Sequence, residues 1–351
     1  MCELKRAVVF ALLIVCGPVP TWAAQAAKKQ TKSSDGKSTD GKSTDGKSSD
    51  GKSSDGKTKA AAASSRETVL VTVNGKNITE AELNRMFMTR RVRDDQRDKA
   101  RDPFLEEMID ARLIQQFLES RDTKASKQEL DAQVNRIRDA AKQRNADPDK
   151  ALAELGYTAE SLRAEFAIPL AWKHHVDRAV PPTRLKAYFD EHRAEFDGTK
   201  VKASHIIFRL HASDDEPAWK DAEAKLRDIR KQIVKGQITF EDAARKYSQA
   251  PSKDEGGDVG EFPYVGKMPE QFSREAFRLK VGEMSQPFRS KFGVHLCVVT
   301  GRKPGDLSLE DVRDEVLARL SQEMWKQTVA DMRKTAKIDW KVEKQAAVPT
   351  P

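Results

Sequence analysis

The spacing of apolar side chains changes near residue 199 of this chain, and that change limits what the chain can fold into. Between residues 66 and 198 apolar side chains recur at helical spacing, whereas residues 199–302 mix β-branched runs with shorter helical stretches. Helical spacing puts apolar groups on one face of a helix, and alternation puts them on one face of a strand. We therefore predict an α+β protein with a helical part followed by a compact mixed unit.

The helical part opens with signals for a strand, a turn and a capped helix. Residues 68–73 alternate β-branched side chains, and Asn74-Gly75 favours a tight turn. Thr79 and Glu82 have the spacing of a capping box, in which each residue satisfies a free N–H of the other. A helix is therefore expected from Thr79 onward.

Three longer helices are predicted next. One begins at Pro103, one follows Ser126 with Glu129 as a second capping box, and one covers 158–180 with an interruption or kink at Pro169. The first of them carries the apolar stripe Leu105, Met108, Ile109, Leu113 and Phe117. Stripes at this spacing are more typical of a core than of a cofactor site.

The mixed unit has strand signals over 201–210 and 294–300, with helical spacing over 218–233 and 239–248 between them. These elements span about a hundred residues, which is the size of a single domain. We expect one compact unit here.

The C-terminal segment returns to a helical pattern. Ser308 is placed to cap a long amphipathic helix, and residues 337–342 have the pattern of a last strand. One economical arrangement packs residues 303–351 with 66–198 and inserts 199–302 between them.

The first 26 residues have the layout of a secretory signal peptide. Lys5 and Arg6 precede an apolar run over 7–15, and small residues near Ala26 offer a cleavage site. Export is therefore predicted, with residues 1–26 removed.

Cysteine usage bears on the same prediction. Cys16 follows the apolar run and raises the alternative of lipoprotein processing, but Val15 stands where such sites need a small residue. Signal removal also takes Cys2 and leaves Cys297 as the single cysteine. No intramolecular disulfide is then possible, so the core must hold the fold.

Residues 27–65 are predicted to be a disordered linker, because their repeated Asp-Gly-Lys units contain too few apolar groups to offset backbone entropy. Residues 28–60 carry nine lysines and five aspartates, and residues 1–27 add one positive charge, so only +3 of the formal +8 belongs to the folded part. The charge gives little support to nucleic-acid binding, although the basic tail can touch anionic surfaces.

The stretch "GGDVGEFPYVGKMPEQF" at 256–272 shows neither helical nor strand periodicity. It lies between "KASHIIF" at 202–208 and "SKFGVHLCVV" at 290–299, each with a histidine in an apolar strand pattern. The order of these motifs, with "FEDAARKYS" before the glycines, closely resembles the parvulin family of peptidyl-prolyl cis-trans isomerases over 201–301. The layout around them is similar to the exported foldases of the SurA and PrsA type.

This resemblance implies a fold. A parvulin-like domain over 199–302 would contain a four-stranded antiparallel sheet with surrounding helices and would need no cofactor. An α-helical chaperone-like domain made of residues 66–198 and 303–351 would flank it.

The resemblance also implies the site residues. His205 and His295 match two strand histidines that meet at the base of the active site, and Ser290 matches a hydroxyl beside the second histidine. These three form the expected catalytic set, without a metal. The expected substrate-binding residues are Met268, Phe272 and Val259.

The chemistry of X-Pro isomerisation agrees with such residues. Rotation breaks amide resonance against a barrier of roughly 18–20 kcal/mol but cleaves no bond, so neither a nucleophile nor a metal is required. An apolar slot must grip the pyrrolidine ring and leave the carbonyl free to swing. Methionine and phenylalanine supply adaptable and flat apolar contacts.

Other interpretations of the same residues remain open. A strand histidine is more often structural, so the pair can act as a scaffold rather than in catalysis. Met268 and Phe272, four residues apart, can belong to the core. His174 and His175 are adjacent on a predicted helix and point apart, which argues against a metal site there.

One position departs from the family. Many parvulins have a cysteine or aspartate two residues after the serine of the loop motif, and counting from Ser248 this chain has Ala250. Asp254 is the candidate substitute.

The leading hypothesis is an exported, periplasmic peptidyl-prolyl isomerase and chaperone that acts on unfolded or newly translocated polypeptides containing X-Pro bonds. The rival is a holdase that binds such segments with little turnover, which Ala250 favours. A surface-anchoring protein would explain only the basic tail. The oligomeric state is not predicted.

Overall fold

The computed structural model describes residues 68–344 apart from 144, 155, 212 and 213. The predicted signal peptide and linker lie outside these residues. Within the described part, none of the helices combines the length and apolar character needed to cross a membrane.

The chain forms two compact units. The first contains residues 68–180 and 321–344, and the second contains residues 181–320. In chain order, the elements are β1 (Val69–Val73), β2 (Lys76–Thr79), α1 (Glu80–Thr89), α2 (Asp94–Ser120), α3 (Lys127–Lys142), α4 (Pro148–Glu154), α5 (Ala159–Ala179), α6 (Pro182–Glu191), α7 (Arg193–Phe196), β3 (Lys200–Arg209), α8 (Glu216–Val234), α9 (Phe240–Tyr247), a 3-10 helix (Pro251–Glu255), β4 (Asp258–Pro263), α10 (Glu270–Arg278), β5 (Phe288–Ser290), β6 (Gly293–Lys303), α11 (Arg313–Arg333) and β7 (Ile338–Trp340).

A three-stranded antiparallel sheet in the order β2-β1-β7 joins the two chain segments of the first unit. Asn74 and Gly75 have positive φ and form the predicted turn. The backbone N–H of Lys337 donates to the Asn74 side-chain oxygen at 2.7 Å, and Arg333 donates to Glu106 of α2 at 2.8 Å. The C-terminal segment is therefore an integral part of this unit.

Both predicted capping boxes are present in the first unit. The Thr79 and Ser126 side chains accept from the backbone of Glu82 and Glu129, whose carboxylates accept from the capping residues in return. The helices bury their stripes in two apolar clusters. The larger cluster is Leu70, Val71, Val73, Ile78, Leu83, Phe87, Phe104, Leu105, Ile109 and Leu113.

One predicted helix start in this unit is wrong, because the second helix begins at Asp94 rather than Pro103. Of the two alternatives at Pro169, the interruption is wrong, because α5 runs from 159 to 179. A proline inside a helix removes one hydrogen bond and crowds the preceding turn. Both helices bury several apolar side chains, and this burial offsets the local cost.

The second unit is built on a four-stranded antiparallel sheet in the order β4-β3-β6-β5. Helices α8 and α9 pack on it through a cluster that contains Ile206, Trp219, Leu226, Phe240 and Leu296. This sheet and its helices confirm the α+β class and the parvulin-like architecture.

The stretch that showed no periodicity contains a strand after all. Residues 258–263 form β4, whose pairing with β3 is irregular between Lys202 and Ser204. Gly260 has a φ of +68°, and Phe262 is the single fully buried side chain of the strand. The irregularity and one-sided burial removed the alternation that would have marked a strand.

The domain boundaries also differ from the predicted ones. Residues 181–198 and 303–320 belong to the second unit. The N–H of Leu307 donates to the Asp197 carbonyl at 3.0 Å, and the N–H of Gly305 donates to the Thr199 hydroxyl at 3.0 Å. The two segments that enter and leave the sheet are thus hydrogen-bonded to each other.

The start of the last helix differs as well. Helix α11 begins at Arg313, and Ser308 instead bonds Asp311 in a preceding turn, with its hydroxyl 2.7 Å from the carboxylate. Ser308 therefore closes a turn that precedes the helix and does not cap the helix itself.

A glycine brings the loop after α9 against β3. The N–H of His205 donates to the Gly257 carbonyl at 2.9 Å. A Cβ on Gly257 would lie 2.4 Å from the His205 carbonyl oxygen, and the φ of Gly257 is +82°. Backbone conformation and close approach both require glycine here.

Replacing Gly257 should therefore lower the free energy of unfolding by more than backbone strain alone would. Gly282 has a φ of +85° and nothing within 4 Å of a Cβ, so it is the matched control. We expect Gly282→Ala to destabilise by about 1–2 kcal/mol through strain and Gly257→Ala by about 1–3 kcal/mol more through overpacking. Urea unfolding of the 181–320 fragment measures both, and equal losses would contradict the close approach.

Candidate active site

Two neighbouring central strands place the two histidines on one face of the sheet. His205 of β3 lies opposite Cys297, and His295 of β6 lies opposite Ile207. Side chains two residues apart on a strand share a face, so the histidines are diagonal neighbours. Their ring centroids are 5.7 Å apart with an interplanar angle of 33°.

Phe272 of α10 covers both imidazole rings. Its ring centroid lies 5.5 Å from that of His205 and 5.7 Å from that of His295, with edge-on geometry in each case. Phe288 stacks on His295 at 5.3 Å with an angle of 13°. Phe272 is fully buried, so it forms the base of the site.

Ser290 holds the His295 ring. Its hydroxyl oxygen lies 2.6 Å from His295 Nε2 and accepts the Phe292 N–H at 3.1 Å. Because that oxygen already accepts a backbone N–H, its own proton is available to Nε2. The hydrogen bond between the Ser290 hydroxyl and Nε2 holds the ring in one orientation.

Burial keeps both histidines neutral. It lowers the pKa of His205 to about 4, with a further contribution from the Arg209 guanidinium. It lowers the pKa of His295 to about 3, assisted by the neighbouring His205. Among the described residues, neither His205 Nδ1 nor His295 Nδ1 has a hydrogen-bond partner. The site therefore presents uncharged imidazoles at neutral pH.

The apolar wall lies beside this pair. Val259 and Met268 are half-buried and pack against the cluster that contains Phe272. The structure thus brings all six predicted site residues into one region of the second unit.

The loop that contains Ala250, the position at which this chain differs from many parvulins, is hydrogen-bonded to β3. The Ser248 hydroxyl accepts the N–H groups of Ile207 and Ala250 at 3.2 and 3.1 Å. Ala250 is buried, whereas Asp254 lies exposed in the 3-10 helix.

Three contributors to the site were not predicted: Phe288, Ser248 and Arg209. Phe288 stands two residues before Ser290, so a strand through "PFRS" would have placed both on one face. The roles of the other two depend on how the loop folds back on β3, which spacing does not show.

The adjacent histidines of the first unit make separate contacts. His174 lies 2.7 Å from a Glu129 carboxylate oxygen and 3.2 Å from the Lys124 carbonyl oxygen. His175 packs edge-on against Phe117 at 5.1 Å. Each histidine is therefore used in the packing of this unit.

The buried histidines predict how stability depends on pH. The unfolded chain takes up protons near pH 6.5, whereas folded His205 does so only near 4 and His295 near 3. Between about pH 6.5 and 5 the unfolded state therefore binds more protons than the folded state. As the pH drops through this range, the free energy of unfolding falls by up to about 1.4 kcal/mol per pH unit for each histidine.

Urea unfolding of residues 181–320, followed through Trp219, measures this dependence. His295→Asn should reduce the pH slope, whereas substitution of the exposed His211 to asparagine should not. Identical slopes in wild type and His295→Asn would refute the buried neutral state.

Comparisons with known proteins agree with this geometry. The rotamase family model, described as a PPIC-type PPIase domain, matches residues 205–301. The foldase protein PrsA of Geobacillus kaustophilus is 29% identical over 265 residues, which cover 73% of this chain and 78% of that protein. Chaperone SurA of Alkalilimnicola ehrlichii is 33% identical over 150 residues, covering 41% of this chain and 34% of that protein.

A shorter relative is matched almost throughout its own length. The peptidyl-prolyl cis-trans isomerase Pin1 of Malus domestica is 35% identical over 117 residues, which cover 30% of this chain and 96% of that protein. Together with the paired strand histidines and the phenylalanine that covers them, these matches show that the chain belongs to the parvulin family of PPIC-type peptidyl-prolyl cis-trans isomerases.

Proposed function

We propose that the protein is an exported foldase that isomerises X-Pro bonds in unfolded polypeptides and holds these polypeptides on its helical part. The observation that carries the proposal is the placement of two neutral histidines under Phe272, beside the half-buried Met268 and Val259. Relatives along most of the chain are named foldases, and others are named chaperones. The proposed location is the bacterial periplasm.

Each site residue has a part in the proposed catalysis. Met268 and Val259 grip the pyrrolidine ring, and buried Phe272 supports them from below. Grip on the ring alone lets the rest of the peptide rotate about the C–N bond, which weakens amide resonance along the path.

The histidines and Ser290 supply the polar floor. A neutral imidazole can donate or accept one hydrogen bond per nitrogen without bringing a charge beside the apolar ring. Ser290 fixes the orientation of His295 through Nε2. His205, His295 and Ser290 are therefore proposed to keep the floor of the slot uncharged and fixed in one arrangement rather than to transfer a proton.

The chaperone activity is assigned to the first unit. It contains the long helices and the discontinuous C-terminal segment, whereas the parvulin sheet lies in the second unit. The proposed clients are unfolded or newly translocated polypeptides. The rival candidate is a holdase with little turnover, and the specific observation in its favour is the apolar Ala250 in the loop beside β3.

One experiment separates these two candidates. Isomerisation of short X-Pro peptides is measured by exchange NMR with the full chain and with residues 181–320, beside suppression of aggregation of an unfolded protein. We expect turnover by both and suppression chiefly by the full chain. Suppression without turnover would favour the holdase, and turnover lost in the fragment despite a native circular dichroism spectrum would contradict the assignment to the second unit.

The loop position predicts a change in rate. A polar group at residue 250 would lie close to β3 and the site, and a preorganised polar group is typically worth a few kcal/mol of barrier. We expect slow turnover in wild type and faster turnover, by about 100-fold, in Ala250→Cys. Cysteine adds one atom to a buried position, so it is the milder replacement there.

The control for this prediction is Asp254→Ala. If exposed Asp254 supplies the missing charge, its loss should slow turnover, and Ala250→Cys should change little. Wild-type turnover that equals other parvulins and responds to neither substitution would show that the loop group is dispensable.

A further inference from the structure

Strand β4 carries one wall of the site and lies at the edge of the sheet. Val259 in this strand contributes to the apolar wall, and the pairing with β3 is irregular beside it. An edge strand has backbone groups that no neighbouring strand satisfies. The position of Val259 therefore needs support from outside the sheet.

Lys267 provides that support. Its ammonium group donates to the carbonyl oxygen of Val259 at 3.0 Å and to that of Glu261 at 2.7 Å. Hydrogen bonds from a charged donor are shorter and stronger than those between neutral groups. Two carbonyls of one strand thus fix the end of this lysine side chain in space.

The same residue directly precedes the other wall residue. Met268 follows Lys267 in the chain and, like Val259, packs against the cluster that contains Phe272. The side chain of Lys267 therefore links the strand that carries Val259 to the segment that carries Met268.

The chain between the two walls is a short loop anchored at both ends. Tyr264 is buried at its start, where its ring packs edge-on against Phe277 at 5.1 Å. At the tip, Val265 is 69% exposed and Gly266 has a φ of +106°. The two hydrogen bonds of Lys267 connect the exposed tip of this loop to β4.

We infer that Lys267 is a positioning residue that sets the separation of Val259 and Met268, and so the fit of the slot to a prolyl ring. This inference rests on the proposed isomerase function. A lysine that only caps an exposed strand edge would affect stability alone. One that positions the walls affects peptide affinity while the histidines and Ser290 still act on bound substrate.

The test uses the full chain with three substitutions. Lys267→Met keeps the aliphatic stem and removes the donor, Lys267→Arg keeps a charged donor, and Lys280→Met removes an exposed lysine elsewhere on the same unit. The measurements are kcat and KM for an X-Pro peptide, thermal unfolding, and amide hydrogen exchange of residues 258–268.

For Lys267→Met we expect KM to rise by about tenfold with kcat changed by less than about twofold, together with faster exchange over 258–268. Lys267→Arg should recover most of the affinity, and Lys280→Met should resemble wild type. Unchanged KM and exchange in Lys267→Met would overturn the inference, as would a change explained by lower thermal stability alone.

Failure of the proposed function gives a different result. If wild type shows no turnover, the isomerase proposal fails, yet hydrogen exchange still decides whether Lys267 anchors the loop. Exchange over 258–268 that is equal in Lys267→Met and wild type would then overturn the anchoring itself.

Discussion

The second unit depends on burying two uncharged imidazole rings in the middle of its sheet. Removing a histidine from water disfavours its charged form, so the native state accepts these rings only as neutral groups. Phe272 and Phe288 supply the apolar cover, and Ser290 supplies a hydrogen bond to His295. The site is therefore polar but uncharged, which suits a reaction that twists an amide without moving a proton.

The loops around the histidines are held by backbone contacts to the same strand. The carbonyl of Gly257 accepts from His205, and the Ser248 hydroxyl accepts from Ile207. Lys267 ties the opposite wall to β4. These contacts hold the loops around the histidines in place relative to the sheet, and the proposed slot would thereby be preorganised for a prolyl ring.

The sequence predicted the parts of this structure that local patterns determine. The capping boxes at Thr79 and Ser126 are present because they need only residues three apart. The two strands that carry His205 and His295 were predicted because each has a strong strand pattern, whereas the meeting of the two histidines was implied only by the family resemblance. Strand β4 was missed because its pairing is irregular at Gly260 and only Phe262 is fully buried.

Features set by tertiary contacts were not predictable from spacing. Helix α2 passes through Pro103 because apolar burial outweighs one lost hydrogen bond. The unit boundary at 180 depends on hydrogen bonds such as that between Leu307 and Asp197, which are distant in sequence. The contact of Ser248 with β3 spans 41 residues, and those of Lys267 with β4 span only eight and six, but each joins an irregular loop to a strand, so neither has a periodic signal.

The central claim is that a prolyl ring binds between Met268 and Val259 above the histidine pair. The most direct measurement is NMR of the full chain with an X-Pro peptide labelled in its proline, recording nuclear Overhauser effects from the prolyl ring to protein methyl groups. We expect contacts to the Met268 and Val259 methyl groups. Prolyl contacts confined to the first unit, with none to these two residues, would contradict it.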